Sequence, residues 1–435
     1  MRNHARVFVL AAACLTVFSA AAQESEKPLP FRTAIELAIK NSAMTDVARA
    51  DLQRSRAAVS QATNFFVPQV IFGSGLGFSY GFPLSLEGAA PSIFNVNVQG
   101  GLWNQAQKEN IKAARSEVEL TKAQNADRRN DVIMETALSY MQLDLLDSSI
   151  SVQREQQAAA AKYQDVAMQR VEAGLDSKVE LTRAKLAVAR THLDMAQTQA
   201  AADQLRLRLS QLTGLPVSAI QTSTESIPQL PQVSPDEDLA AQAAEQNMQV
   251  KIADYTALAR QHKAEAERKQ LYPAVDLVTQ YAVLARYNNY DEFFRKFQRN
   301  NVTAGVAIRI PFLSTAQRAT AEAARFDAAK ARAEARNVRQ QVSADTLKLQ
   351  RAVQQFSAAR EVAQLEHELS QAEIHAAEAK IESGQASLKD AQNAQVVEHE
   401  RYTAFLSSSF DLDKAQIQLL RQTGDLEQWA LGPRK

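Results

Sequence analysis

Residues 106–115 read AQKENIKAAR, and 210 residues later residues 316–325 read AQRATAEAAR. The same offset lays Glu172 and Gly174 on Glu382 and Gly384, and Thr213-Gly214 on Thr423-Gly424. Register held this long means that one structural unit was duplicated and that both copies kept their element lengths. A duplicated chain of this kind points to a two-fold architecture rather than to a local catalytic site.

Working outward from that stretch, Asn104 to Ala173 contains no Pro or Gly, and neither does Ser314 to Ser383. At about 1.5 Å per residue such a helix measures on the order of 100 Å, against a globular mean of about 11 residues. Gly174 and Gly384 break the two runs, and second helices follow over about 177–212 and 387–422. Before each long helix lies a strand pair, over 70–102 and 274–310, and before each pair a shorter helical stretch, Phe31–Phe66 and Pro235–Leu271. A link over 216–235 carries Pro216, Pro228, Pro231 and Pro235 and reads as non-helical. The spacing therefore predicts a first repeat over 23–215, a second over 236–424 and a tail over 425–435. Apolar positions such as Ile111, Ala114, Val118, Leu138, Met141 and Leu145 recur at the 3–4 spacing of a packing seam. The fold class expected is mainly α with a small β part: long antiparallel, coiled-coil-like helices, with a strand pair ahead of each long one.

The ends and the composition narrow the setting. Arg2 and Arg6, the apolar run Val7–Ser19 and Ala20-Ala21-Ala22 read as a secretion signal over residues 1–22. A rival reading lipidates Cys14, but Ala11-Ala12-Ala13 lacks the leucine usual before such a cysteine. With cleavage after Ala22 no cysteine is left, so no disulfide framework or thiol chemistry is expected. Lys plus Arg balance Asp plus Glu at 49 each, so no bulk field favours nucleic acid. Of the 13 glycines, seven fall between Gly73 and Gly101, which sets the strand-like section apart from the helix-rich remainder.

The strands alternate like those of a transmembrane barrel. Phe72, Leu76, Phe78, Tyr80 and Phe82 share one parity, and Phe94, Val96 and Val98 face Asn95, Asn97 and Gln99. In the fourth strand Val302, Ala304, Val306, Ile308 and Ile310 alternate with Asn301, Thr303, Gly305 and Arg309. A large apolar face backed by a polar or tiny one reads as lipid outside and water inside. Asp276, Gln280, Arg286 and Arg309 are the candidate lumen residues. Phe65, Phe66, Trp103, Tyr272 and Phe312 gather at strand ends, where interfacial belts form. Ser85–Pro91 and Asn288–Asn300 would be outer loops. Four strands cannot close a barrel, and an open edge in lipid is excluded by the unpaired backbone groups it would leave. Several copies must pool their strands.

With the duplicated layout, Phe66-Val67-Pro68-Gln69-Val70 and Leu271-Tyr272-Pro273-Ala274-Val275 entering the hairpins, and the turns Arg170–Leu175 and Lys380–Gln385, the chain resembles the TolC-like outer-membrane efflux protein family. The resemblance implies a homotrimer with a transmembrane β-barrel shared between subunits, four strands per chain, in outer-membrane lipid, and a long antiparallel α-helical barrel below it, with most of the chain in the periplasm. It implies a passive exit duct of a tripartite efflux or secretion system. A periplasmic adaptor (membrane fusion) protein would dock at the tip turns, at Arg170, Gly174, Leu175, Lys380, Gly384 and Gln385, and an inner-membrane pump would act through that adaptor. Acidic residues six and nine positions after the second turn glycine narrow the tunnel entrance in the family. Here those positions hold Asp390 and Asn393, one acid and one neutral amide, and the first-copy equivalents are Glu180 and Arg183. The alternative function is a periplasmic structural coiled-coil protein without a pore. No enzyme, cofactor or metal is expected: the six histidines show no ligand spacing, and Gly73-x-Gly75-x-Gly77 lies in an alternating strand without the Lys-Ser/Thr of a phosphate loop.

Overall fold

The computed structural model describes residues 28–75, 92–234, 237–284, 298–382 and 388–432. The signal and Cys14, the strand residues Leu76, Phe78, Tyr80 and Phe82, Pro235, the loop residues 85–91 and 288–297, Arg286, Gly384 and Gln385 lie outside the described residues.

The duplication is written into the element lengths. Helices α3 (Gln105–Glu172) and α7 (Thr315–Glu382) both have 68 residues. Their partners α4 (Lys178–Thr213) and α8 (Leu388–Thr423) both have 36. Helices α2 (Ala43–Asn64) and α6 (Met248–Lys269) both have 22. The starts of α3 and α7 are 210 residues apart (315 − 105), but those of α2 and α6 are 205 apart (248 − 43). The five-residue difference falls in the stretches that hold the strands.

The stretch Phe31–Phe66, read as one helix, is two. Helix α1 (Phe31–Asn41) ends at Ser42, which is extended, and Ser42 Oγ accepts a hydrogen bond from the Met44 backbone N–H at 3.3 Å. The second copy breaks the same way between α5 (Leu239–Gln246) and α6, where Asn247 Oδ1 accepts from the Gln249 N–H at 2.8 Å. A serine or asparagine there satisfies an orphan donor of the new helix and lets the chain turn. The second copy also starts later than expected, at Leu239, where Asp238 caps the Ala241 N–H at 3.0 Å.

Helices α3 and α4 pack antiparallel, as do α7 and α8, while α2 lies along the near part of α3 and α6 lies between α3 and α7. Away from mid-height the seams are built from small side chains: Ala113, Ala123, Ala160 and Ala184 in the first repeat, and Ala257, Ala331 and Ala335 in the second, all buried. Alanine lets helix axes approach closely and loses no side-chain entropy.

The large apolar core is a belt halfway along α3. Phe31 stands edge-on to Tyr140, with centroids 5.4 Å apart, and meets Trp429 at 5.4 Å. Ile35, Ile133, Leu143, Leu209, Ile417 and Leu426 fill the space between them. The Tyr140 hydroxyl donates to Leu29 O at 2.6 Å and accepts from the Ser223 N–H at 2.7 Å, so its burial leaves no unsatisfied group. The C-terminal stretch read as a tail supplies helix α9 (Leu426–Leu431) to this belt, with Leu426 and Ala430 buried. The link read as non-helical contains two 3-10 turns, Val217–Ala219 and Thr224–Ser226, and Ile220 between them is buried in the belt.

Among the described residues four antiparallel strands form one sheet in the order β1 (Gln69–Gly75), β2 (Ser92–Trp103), β3 (Ala274–Leu284), β4 (Asn300–Arg309). Asn300, placed in an outer loop by the sequence, is the first residue of β4. The register puts Phe72 beside Val96, Val96 beside Tyr281 and Tyr281 beside Val302 on one face. On the other, Asn97 meets Gln280 and Gln280 meets Thr303. The alternation is imperfect: Ile71 and Val278 sit on the polar face, Thr279 on the apolar one. On the apolar face Phe72 is 68% exposed and Val302 69%. Among the described residues no helix is long and apolar enough to cross a membrane.

Candidate conduit and its two ends

At the upper end, the candidate lumen residues Asp276, Gln280 and Arg309 come together on the polar face of the sheet. Arg309 Nη2 donates to Asp276 Oδ2 at 2.6 Å, which ties β3 to β4. Gly101 lies opposite Asp276 in the register. A side chain at Gly101 would collide with Phe65, whose ring comes within 2.3 Å of an ideal Cβ there. Phe65 therefore closes over the sheet at its base, and the glycine is what admits it.

Just beneath the sheet sits a cluster that the sequence reading missed. Glu109 of α3 is buried and accepts from Lys269 Nζ at 2.8 Å, from Lys112 Nζ at 2.9 Å and, through its other oxygen, contacts His262 Nδ1 at 3.2 Å. Lys269 and His262 belong to α6, so one carboxylate joins the two repeats. Burial by itself pushes the Glu109 carboxyl up, but the hydrogen bonds from Lys269, Lys112 and His262 outweigh it and hold the group down at about 2, against an ordinary 4.5. A folded value below the unfolded one stabilises the fold above about pH 4.5 and loses that contribution as the pH falls toward 2. Glu109→Gln is expected to lower stability by about 3 kcal/mol at neutral pH and to remove the acid-sensitive phase between those limits. Thermal melting followed by helical circular dichroism across that range checks it; an unchanged acid profile in the variant would show that the cluster contributes nothing.

At the lower end, Arg170, Gly174 and Leu175 share one tight turn. Gly174 adopts φ +73°, a left-handed conformation that favours glycine. Its N–H donates to Val171 O at 3.0 Å, and the Leu175 N–H to Arg170 O at 2.8 Å. Arg170 also clamps Asp176 through two bonds, Nε to Oδ2 at 2.7 Å and Nη2 to Oδ1 at 3.2 Å. The clamp raises the Arg170 pKa and lowers that of Asp176, each chiefly through this hydrogen bond. Asp176 was not singled out from sequence; its signal was an acid just past a turn glycine, following an arginine six residues earlier. Leu175 is 68% exposed at the apex. Lys380 ends the matching helix of the second copy, exposed in the last turn of α7.

Asp390 and Asn393 lie in the first two turns of α8, both exposed. Three residues apart, they share one helix face. Asp390 sits in the first turn, at the positive end of the helix macrodipole. At the corresponding first-copy positions Arg183 Nη1 pairs with Glu180 at 2.5 Å, so that acid is neutralised within its own helix. Upper and lower groups are separated by the length of α3, on the order of 100 Å.

Residues 34–215 match the family model described as Outer membrane efflux protein. Over that first repeat the chain is similar to the outer membrane efflux protein family. The likeness to solved structures extends over both repeats. The fold is shared with crystal structures of CusC, described in terms of transmembrane channel formation (TM-score 0.77, 16% identity, 93% of this chain and 95% of that one). It is shared with the CmeC outer membrane channel of Campylobacter jejuni (0.76, 13%, 91% and 86%) and the outer membrane protein VceC of Vibrio cholerae (0.71, 17%, 90% and 96%). No curated protein sequence matches the chain. The architecture is thus TolC-like: a helical barrel channel fold in two repeats. The family model and these structures are described as outer-membrane efflux and channel proteins.

Proposed function

We propose that this protein is a homotrimeric outer-membrane exit duct that passively conducts substrates delivered by a periplasmic adaptor and an inner-membrane pump. The observation that carries the proposal is that both lateral edges of the chain are unsatisfied. Among the described residues, strands β1 and β4 end the sheet with open edges, which hydrocarbon does not tolerate.

The helices end in the same way. On α4, Val179, Leu186, Leu193 and Leu207 are 58%, 50%, 56% and 51% exposed, at spacings of seven or fourteen residues, with Ala200 in the gap. Within the chain α4 packs on α3, α1 and the first 3-10 turn, and α7 on α5, α6 and α8. The opposite edge, on α7, exposes Leu347, Leu365 and Leu369. One edge meeting the other is a head-to-tail contact, which makes a ring when the rotation between copies closes. Three copies of four strands give twelve, an even number within the range of outer-membrane barrels. Three is the number the family resemblance implies.

In that trimer the polar face, with Asp276, Gln280 and Arg309, lines the pore and the apolar face meets lipid. The tip turns at Arg170, Gly174, Leu175 and Lys380, with Gly384 and Gln385, are the adaptor's docking surface, where Leu175 offers an apolar anchor beside the Arg170–Asp176 clamp. Asp390 and Asn393 ring the entrance, and three Asp390 carboxylates make it attract cations. The poreless periplasmic coiled-coil alternative leaves the two-faced sheet without a purpose.

The test is single-channel recording of the detergent-purified protein in planar bilayers, with cross-linking to count subunits. A conducting trimer is expected, and Asp390→Asn is expected to lower its preference for cations while leaving it open. A detergent-free monomer that conducts nothing would overturn the proposal.

A further inference from the structure

Helix α3 has two seams on nearly opposite sides. Gln107 faces α2, its Nε2 donating to Ala62 O at 2.7 Å, and Glu109 faces α6 through Lys269. At about 100° per residue these two positions are about 200° apart, which leaves two free faces. One carries Asn110, which lines a recess with Phe65 and Gln69 and another with Ala274 and Arg309, beneath the polar face of the sheet. The other, about 140° round from Asn110, carries Arg115 and therefore lies on the side of the apolar, lipid-facing face.

On that outward side an open groove of about 420 Å³ runs between α2 and α6. Val59, Val118 and Leu258 are its apolar lining, with Arg56, Arg115 and Tyr255 beside them. The acid in the groove, Glu119, is paired with Lys122 at 2.7 Å. Arg56 and Arg115 are exposed, and among the described residues neither is in an ion pair. The duplication extends the pattern. Lys108 and Arg115 on α3 correspond to Arg318 and Arg325 on α7, followed seven residues later by Arg332, all exposed. Seven residues are about two turns, so these cations stand in a row along each rod.

We propose that this outward basic face, centred on the Arg56–Arg115 groove, docks the peptide stems of cell-wall peptidoglycan. The proposal rests on the outer-membrane duct reading, which sets this side outward and below the bilayer. Depth separates the candidates. The row from Arg318 to Arg332 spans about 21 Å, whereas a headgroup layer is only about 6 Å thick on each side. Lipid phosphates reach the first cation of each row and no further. Peptidoglycan stems are short, alanine-rich and end in free carboxylates. Their methyl groups suit a floor of valine and leucine, and a carboxylate suits two guanidinium forks. The groove lies wholly within one chain, so ring closure does not cover it.

The experiment is co-sedimentation of the purified trimer with isolated sacculi, compared with phosphatidylglycerol vesicles. Wild-type protein should pellet with sacculi, and binding should weaken in about 0.5 M salt. Arg56→Glu with Arg115→Glu should reduce the bound fraction on the order of tenfold, and Arg115→Gln should fall between. Cross-linking and bilayer conductance of the same samples should be unchanged, so failure of the duct reading would show there and not in the pellet. Sacculi binding that ignores both the salt and the charge reversal overturns the proposal. So does binding to the vesicles alone.

Discussion

Replacing Leu186 and Leu193 together by glutamate is expected to leave monomers that form no channel. Each leucine loses about 2 kcal/mol of burial. Each carboxylate carried into an apolar seam adds a desolvation penalty of several kcal/mol. A ring repeats the lesion at every interface. The fold of the single chain should survive, because α4 holds α3 through Ala184, Ala202 and Leu209, all fully buried. Leu186 is about 200° from Ala184 around that helix. Circular dichroism should therefore match wild type while cross-linking yields only monomer. Trimers that still conduct would show that α4 is not an inter-subunit edge.

The second large effect is expected at the tip. Gly174→Pro forces φ from +73° to about −65° and removes the N–H that bonds Val171 O. The turn between α3 and α4 cannot keep its shape, so Arg170 and Asp176 lose their alignment and Leu175 its presentation. Barrel assembly takes place on the order of 100 Å away and should be untouched, with bilayer conductance retained. Export in cells should fall at least about tenfold, since a turn-breaking proline is worth about 3 kcal/mol or more. Gly174→Asn is the control: nothing lies within 4 Å of a Cβ at this position, and asparagine tolerates the left-handed region. Normal export by the proline variant would remove the tip from the docking surface. Gly384→Pro carries the same expectation through the repeat.

Which parts were legible in the sequence follows from the range of the interactions. The long helices and the turn at Gly174 were readable because the absence of Gly and Pro, and then a single Gly, act within a few residues. The sheet was readable because period two shows within the second and fourth strands alone, and the register then brought Asp276, Gln280 and Arg309 onto one face. The break at Ser42 escaped because a serine inside an alanine-rich helical pattern looks like any exposed position until its hydroxyl is seen capping Met44. The belt escaped for a different reason. Phe31, Tyr140, Leu209, Ile417 and Trp429 come from distant parts of the chain, and no local pattern announces their meeting. Glu109 looked like a surface acid beside Lys112; only the arrival of α6 gives it Lys269 and His262.

The breaks at Ser42 and Asn247 give the assembly two kinds of stave. Helices α3 and α7 run unbroken past the belt, so a push at the tip travels along a continuous hydrogen-bonded spine toward the strands. The staves made of α4 with α2, and of α8 with α6, are interrupted at mid-height, where the backbone leaves one helix and begins another. A tilt of α4 or α8 can therefore be absorbed at the belt, and a swinging lower half need not drag on the half anchored in lipid.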